Sequence, residues 1–321
     1  MAISMKFSLI AITVISYAIY SYVSDNLYTK LPLHYDSNTV DERFQLVSEV
    51  FRKNFADGWE HGGAALAVYF KGQKVLDIWG GYADIQAARK WKIDTITATF
   101  SCLKGVMALC VAMLVDQKLV NYDDLITKYW PHFGKNGKAN ITVQMILSHM
   151  AGLAYLDEPF DLGTAANHQE MRKIFENERP KWPPGRESGY HQYSFYWLID
   201  QLIRHIDKEK RGIQEYFHDE IASKFGIDYS IGLSMTEEYR VARVTMPSWI
   251  DILGEIYQTP HLIQFFLFHS LQDSFICKGI SNLKWLHPAT PLQINNPNFH
   301  SLLYHGFGNA RSLAKIFHMV N

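Results

Sequence analysis

Thr95-Ile-Thr-Ala-Thr-Phe-Ser-Cys-Leu-Lys-Gly-Val-Met-Ala-Leu-Cys-Val-Ala-Met-Leu-Val115 divides in two at Phe100. Its first part is short and β-branched, as strands are. From Ser101 onward it is almost wholly apolar and long enough for about four helical turns. A helix apolar on every side belongs in the middle of a fold rather than on its surface. Ser101 and Lys104 are the polar exceptions at its start, and residues three apart share a helical face. A serine hydroxyl is a weak nucleophile until a neighbouring base removes its proton. A lysine desolvated among apolar side chains becomes such a base, because burial disfavours its charged form. The helix N-terminus adds a positive field for a developing alkoxide. The spacing therefore proposes Ser101 as nucleophile and Lys104 as its base.

The S-x-x-K pattern is common by chance, and this chain holds it three times, at Ser101/Lys104, Ser281/Lys284 and Ser312/Lys315. Ser281 falls in a run read as loop, which closes on His287-Pro288. Ser312 is expected on the exposed side of a short amphipathic helix. Ser101 alone is expected where a strand turns into a buried helix.

The 321 residues are 48% hydrophobic and 14% aromatic with a formal charge of −1, enough for a sizeable core. The balanced charge offers no basic stripe, so nucleic acid is not an expected partner. Lys6 precedes an apolar run from Phe7 to Val23 whose dense part, Leu9 to Ile15, has the length of a signal-peptide core. Ser16-Tyr17-Ala18 supplies small residues at cleavage-site spacing. A cleaved signal and a retained single-pass anchor are both open, and a buried N-terminal helix is the third reading. The first two place the remainder outside or in a lumen, as a secreted or membrane protein. Three cysteines do not make a disulfide framework, and Asn140-Ile141-Thr142 is a glycosylation acceptor if the chain is secreted.

Residues 1–24 are thus expected to be signal or anchor, 25–44 a polar linker, and 45–321 the functional domain. Val40 to Phe55 has helical apolar spacing. Ala64–Phe70 and Val75–Gly80 read as an antiparallel hairpin turning at Lys71–Lys74, with Gly80-Gly81 ending the second strand. Leu119 to Trp130 is expected to be helical, as is Ile141–Leu147 with Thr142 as cap. Trp182-Pro-Pro-Gly185 reads as a rigid turn. A helix is expected to open at Gly189-Tyr190-His191 and to carry the stripe Phe195, Leu198, Ile199, Leu202, Ile203 and Ile206. His149 is read as structural, beside the turn at Gly152. Residues 250–300 show no clean period.

Taken in order, several segments resemble one family. They are Gly62-Gly-Ala-Ala-Leu-Ala-Val-Tyr69, Val75-Leu-Asp-Ile-Trp-Gly-Gly-Tyr82, Phe100-Ser-Cys-Leu-Lys-Gly105 and Ile146-Leu-Ser-His-Met-Ala-Gly-Leu153. Trp182-Pro-Pro-Gly185 with Gly189-Tyr-His191 and Asn309-Ala-Arg-Ser-Leu-Ala314 follow. The chain resembles the serine β-lactamase-related hydrolases, the esterase-like branch near class C β-lactamases and D-aminopeptidases, from about residue 45 onward. The resemblance implies an α/β (α+β) fold of the β-lactamase/transpeptidase type, an antiparallel sheet flanked by helices plus a helical domain, with the site between them. It places the first motif on Ser101 and Lys104. The second falls on Tyr190-His191-Gln192, with Tyr190 sharing protons with Lys104. Gln192 stands where β-lactamases carry asparagine, which argues against β-lactam turnover. A third Lys/His-Thr-Gly-like strand is expected after the Asn309–Val320 helix and is absent. His305-Gly306-Phe307-Gly308 mimics it ahead of that helix, in a stretch read as loop, and is taken as coincidence. The family's C-terminal strands are on this reading missing.

The expected function is acyl-enzyme hydrolysis of a small-molecule or peptide ester or amide, without cofactor or metal. The alternative is an impaired or inactive homologue with a binding role. No G-x-S-x-G elbow and no H-E-x-x-H motif supports a rival hydrolase class.

Overall fold

A computed structural model describes residues 12–23, 31–247, 249–264, 274–285, 295–302 and 305–319. Strands β1 (Tyr35–Val40), β2 (Gly63–Phe70) and β3 (Gln73–Asp84) form an antiparallel sheet in the order β1-β3-β2, and the short β4 (Arg89–Lys90) pairs with the end of β3. Alternation along β2 sends Leu66 and Val68 to one face, where Phe51 and Phe55 of helix α1 (Gln45–Ala56) meet Leu76 and Ile78. The opposite face carries helix α4 (Ala310–His318), held by His318 stacked on Tyr69 at 5.4 Å and by Arg311 paired with Asp77 at 3.5 Å.

A second small sheet, in the order β5-β7-β6, joins β5 (Thr97–Ala98), β6 (Tyr229–Ile231) and β7 (Gly306–Gly308). From β5 the chain enters helix α2 (Cys102–Asp116), which runs through the main core with Leu103, Val106, Met107, Cys110, Val111 and Leu114 buried. Helix α3 (Ser194–Ile206) packs against it, and its residues from Ser194 to Ile203 are all buried. Gly105 lets α4 approach α2, since a Cβ there would lie 2.9 Å from the Phe317 ring.

Several expectations are corrected. The polar stretch expected as linker contains β1, paired with β3 from Tyr35↔Gly80 to Val40↔Leu76. An edge strand exposes much of its length, so its polarity masked it. Gly80-Gly81 does not stop β3. A Cβ on Gly80 would sit 2.7 Å from the Tyr35 ring, and one on Gly81 2.1 Å from the Gly62 carbonyl oxygen. The glycines admit neighbouring chain rather than end the strand. Leu119–Trp130 holds only a 3-10 turn at Ile126–Lys128. The helix expected from Gly189 starts at Ser194. Ser281 closes the helix Phe275–Ser281 rather than lying in a loop, and Ser312 is buried, its Oγ accepting from Asp228 N at 3.0 Å. The Gly306–Gly308 segment is a strand, paired with β5 on the approach to Ser101.

Residues 12–23 are helical and mostly exposed. Among the described residues no helix is long and apolar enough to cross a membrane, which leaves the anchor expectation unsupported. Phe7 to Ala11 of the expected signal, and His287-Pro288, lie outside the described residues.

Candidate active site

Strand β5 delivers the chain to a sharp turn. Thr99 N donates to Gly306 O at 2.8 Å, Phe100 takes a left-handed φ of +46°, and Ser101 follows as the N-cap of α2. A bulky residue at positive φ costs roughly 1–3 kcal/mol and persists only where the surroundings impose it. Here the clamp of β5 on β7 does so, and the turn leaves Ser101 exposed at the head of a buried helix. The Ser101 N–H has no partner among the described residues, as the first amides of a helix lack intrahelical acceptors.

Lys104 lies one turn further along α2 and is only 8% exposed. Its Nζ donates to Gln192 O and to Tyr196 Oη, both at 2.8 Å. The ammonium sits 4.1 Å from the Tyr196 ring centre and 4.9 Å from that of Tyr190. Aromatic faces, one phenol oxygen and one carbonyl replace little of the lost hydration, so burial pulls Lys104 down to about 7. Tyr190 completes the group. Its hydroxyl donates to Ser101 Oγ at 2.6 Å, and 41% of the residue is exposed.

Local sequence explains how Tyr190 is aimed. Gly185 turns the chain at φ +81°, as the Pro-Pro-Gly signature requires. Gly189 N donates to His149 O at 3.0 Å, and a Cβ on Gly189 would strike the Trp182 ring at 2.4 Å. The His149 ring meets Tyr190 edge-on at 5.0 Å, and its Nδ1 accepts from His191 N at 3.2 Å. His191 is buried and accepts from Leu153 N at 3.0 Å. Burial, reinforced by Lys104, holds His149 at about 4. Burial likewise holds His191 at about 4, so both rings are neutral around Lys104. His149 is indeed structural, but it orients Tyr190 as well as shaping a turn.

Ser101 and Lys104, one helical turn apart, thus meet Tyr190, which lies 89 residues further along the chain from Ser101. Two details were not legible beforehand. The hydrogen bonds of Lys104 run to Tyr196 and to the Gln192 main chain, while Gln192 Oε1 is buried without a hydrogen-bond partner. Nothing in the apolar stripe marks Tyr196, because a helix buried on every side singles out no residue. Its spacing of six from Tyr190 is the one signal available. On the sheet side of Ser101 a cavity of about 480 Å³ is walled by Phe100, Cys102, Ala64, Ala65, Asn309 and Leu313, among others. The three polar residues stand outside its walls.

Comparison with known proteins places these features. Residues 51–251 match the Beta-lactamase family model. The Esterase/beta-lactamase LipL of Mycobacterium tuberculosis is 34% identical over 214 residues, which cover 64% of this chain and 48% of LipL, so the chain spans about half the length of that relative. Among solved structures, a family VIII carboxylesterase is similar at TM-score 0.72 and 26% identity, over 89% of this chain and 71% of that one. A penicillin-binding-protein homologue from Caulobacter crescentus is similar at TM-score 0.71 and 27% identity, over 89% and 70%. EstA from Arthrobacter nitroguajacolicus Rue61a is similar at TM-score 0.70 and 26% identity, over 88% and 69%. The antiparallel sheets and surrounding helices are therefore a β-lactamase/transpeptidase-like fold, and the chain belongs to the β-lactamase family of hydrolases.

Proposed function

We propose that the chain is a serine hydrolase that opens an ester, or a reactive amide, through an acyl-enzyme on Ser101. The observation that carries this reading is the 2.6 Å hydrogen bond between Tyr190 and Ser101, above a lysine poised near neutrality. In the forward step the Ser101 oxygen attacks the acyl carbon, and its proton passes to the neutral Lys104 amine. The carbonyl electron pair moves onto oxygen, where the Ser101 N–H and the N-terminus of α2 offer stabilisation. Tyr190, already on Ser101, is the group that hands a proton to the departing alkoxide. Water then attacks the acyl carbon and frees Ser101 with the proton transfers reversed.

An ester is favoured over a β-lactam by two features. Gln192 holds Lys104 through its main chain, leaving the side-chain oxygen unused. Several of the similar proteins are named as esterases. The competing reading, a homologue that binds without turnover, is favoured by one observation: among the described residues nothing pairs with the outer edge of β2 beside the 480 Å³ cavity. Hydrolysis of p-nitrophenyl butyrate by purified protein separates the two. A stoichiometric nitrophenol burst lost in Ser101→Ala supports the hydrolase, and equal release by both proteins rejects it.

A further inference from the structure

The amine of Lys104 and the hydroxyl of Ser101 belong to one site, yet the hydrogen bonds that Nζ makes lead elsewhere. One goes to a main-chain carbonyl, which cannot carry a proton. The other goes to the hydroxyl of Tyr196, at 2.8 Å. Tyr196 is 3% exposed, lies in the first turns of α3, and holds its ring 4.1 Å from the amine. A phenol that far from water accepts one proton while donating another. We propose that Tyr196 is a second tyrosine of the reaction, the hydroxyl through which the Ser101 proton reaches Lys104. This inference rests on the hydrolase reading and adds a residue to it.

The step balances without any co-reactant. The Ser101 O–H bond breaks and its proton joins Tyr196 Oη. The proton that Tyr196 carried moves to the lone pair of neutral Nζ, giving an ammonium, and Tyr196 ends as it began. The electron pair left on Ser101 Oγ forms the bond to the acyl carbon. Two features of the site agree with this. Burial raises the Tyr196 phenol far above its ordinary value, while hydrogen bonding with Ser101 works in the opposite sense. The hydroxyl therefore stays neutral and lies within reach of both groups. The titratable groups around Nζ are the phenols of Tyr190 and Tyr196 and the neutral rings of His149 and His191. Division of labour follows: Tyr190, exposed and on Ser101, faces the leaving group, and Tyr196, buried and on Lys104, faces the base.

The test uses protein labelled with 13C at lysine Cε, as wild type, Tyr196→Phe and Tyr190→Phe, with Lys104→Met assigning the Lys104 signal. Its titration reports the base directly and needs no turnover. Losing Tyr196 Oη removes an acceptor from the ammonium, so the Lys104 midpoint is expected to fall by about one unit in Tyr196→Phe. It is expected to stay in place in Tyr190→Phe. The rate at which a fluorophosphonate phosphonylates Ser101, with fluoride leaving, measured on the same samples at pH 8, should drop about 10- to 100-fold in Tyr196→Phe, the scale of a lost proton-transfer route. Unchanged circular dichroism and melting temperature exclude misfolding. A Lys104 midpoint that does not move, or a labelling rate within twofold of wild type, overturns the role of Tyr196. Wild-type protein that the fluorophosphonate never labels overturns the hydrolase reading instead, and the titration still decides whether Tyr196 holds the amine.

Discussion

Replacing Lys104 by methionine should make the protein more stable and chemically silent. The unperturbed amine titrates at 10.5 and the buried one at about 7. At about 1.4 kcal/mol per unit, keeping that ammonium in the folded state costs on the order of 4–5 kcal/mol at pH 7. Methionine removes the cost and fills similar space, but it takes one hydrogen-bond partner each from Tyr196 Oη and Gln192 O, a loss at the lower end of the range for such groups, about 1–1.5 kcal/mol apiece. The net gain is about 1–3 kcal/mol, or roughly 2–8 °C in melting temperature for a chain of this size. Between about 7 and 10.5 the unfolded chain keeps the proton that the folded chain releases, so the wild type gains stability as pH rises through that window. The advantage of Lys104→Met is therefore largest at pH 7 and below, and it shrinks toward pH 10. Differential scanning fluorimetry from pH 6 to 10, beside fluorophosphonate labelling, reads both effects. A variant less stable than wild type at pH 6, or an advantage that grows with pH, would refute the burial argument.

Further outcomes follow from the same structure. Acylation of wild-type protein should rise with pH through a midpoint near 7 as Lys104 loses its proton, and a profile flat from pH 5 to 9 in stopped-flow labelling contradicts that. Ser312→Ala leaves Asp228 N without its acceptor and should cost about 1–2 kcal/mol in urea melts while labelling proceeds at the wild-type rate, because this S-x-x-K serine is structural. Gly81→Ala places a Cβ 2.1 Å from the Gly62 oxygen at a φ of +71°, and thermal melts should show a loss of more than about 2 kcal/mol.

How much was legible depended on how many side chains each feature needed. Helix α2 declared itself because a long apolar run broken only by Lys104 leaves few alternatives, and its observed span, Cys102–Asp116, departs by one residue at each end. The β2–β3 hairpin was equally plain from its turn, where Lys71 and Gly72 both adopt positive φ. Strand β1 was missed because an edge strand needs no apolar face, and β7 because three residues, Gly306–Gly308, carry no period at all. Both were fixed by pairing with distant chain. The same distinction runs through the site. Ser101 and Lys104 were readable because one helical turn joins them. Tyr190 came from a motif rather than from periodicity. The partnership of Lys104 with Tyr196 spans 92 residues and is decided by how α2 packs on α3. Ser312 shows the opposite error, since its helix is amphipathic but its outer face is covered by the Asp228 loop.

The central claim is that Ser101 is an activated nucleophile. Intact-mass measurement after treating folded protein with a fluorophosphonate, with Ser101→Ala alongside, tests it most directly. One adduct on the wild type, mapped to Ser101 and missing from the variant, is the predicted result. Folded wild-type protein that stays at its unmodified mass contradicts the account and leaves a binding role for this site.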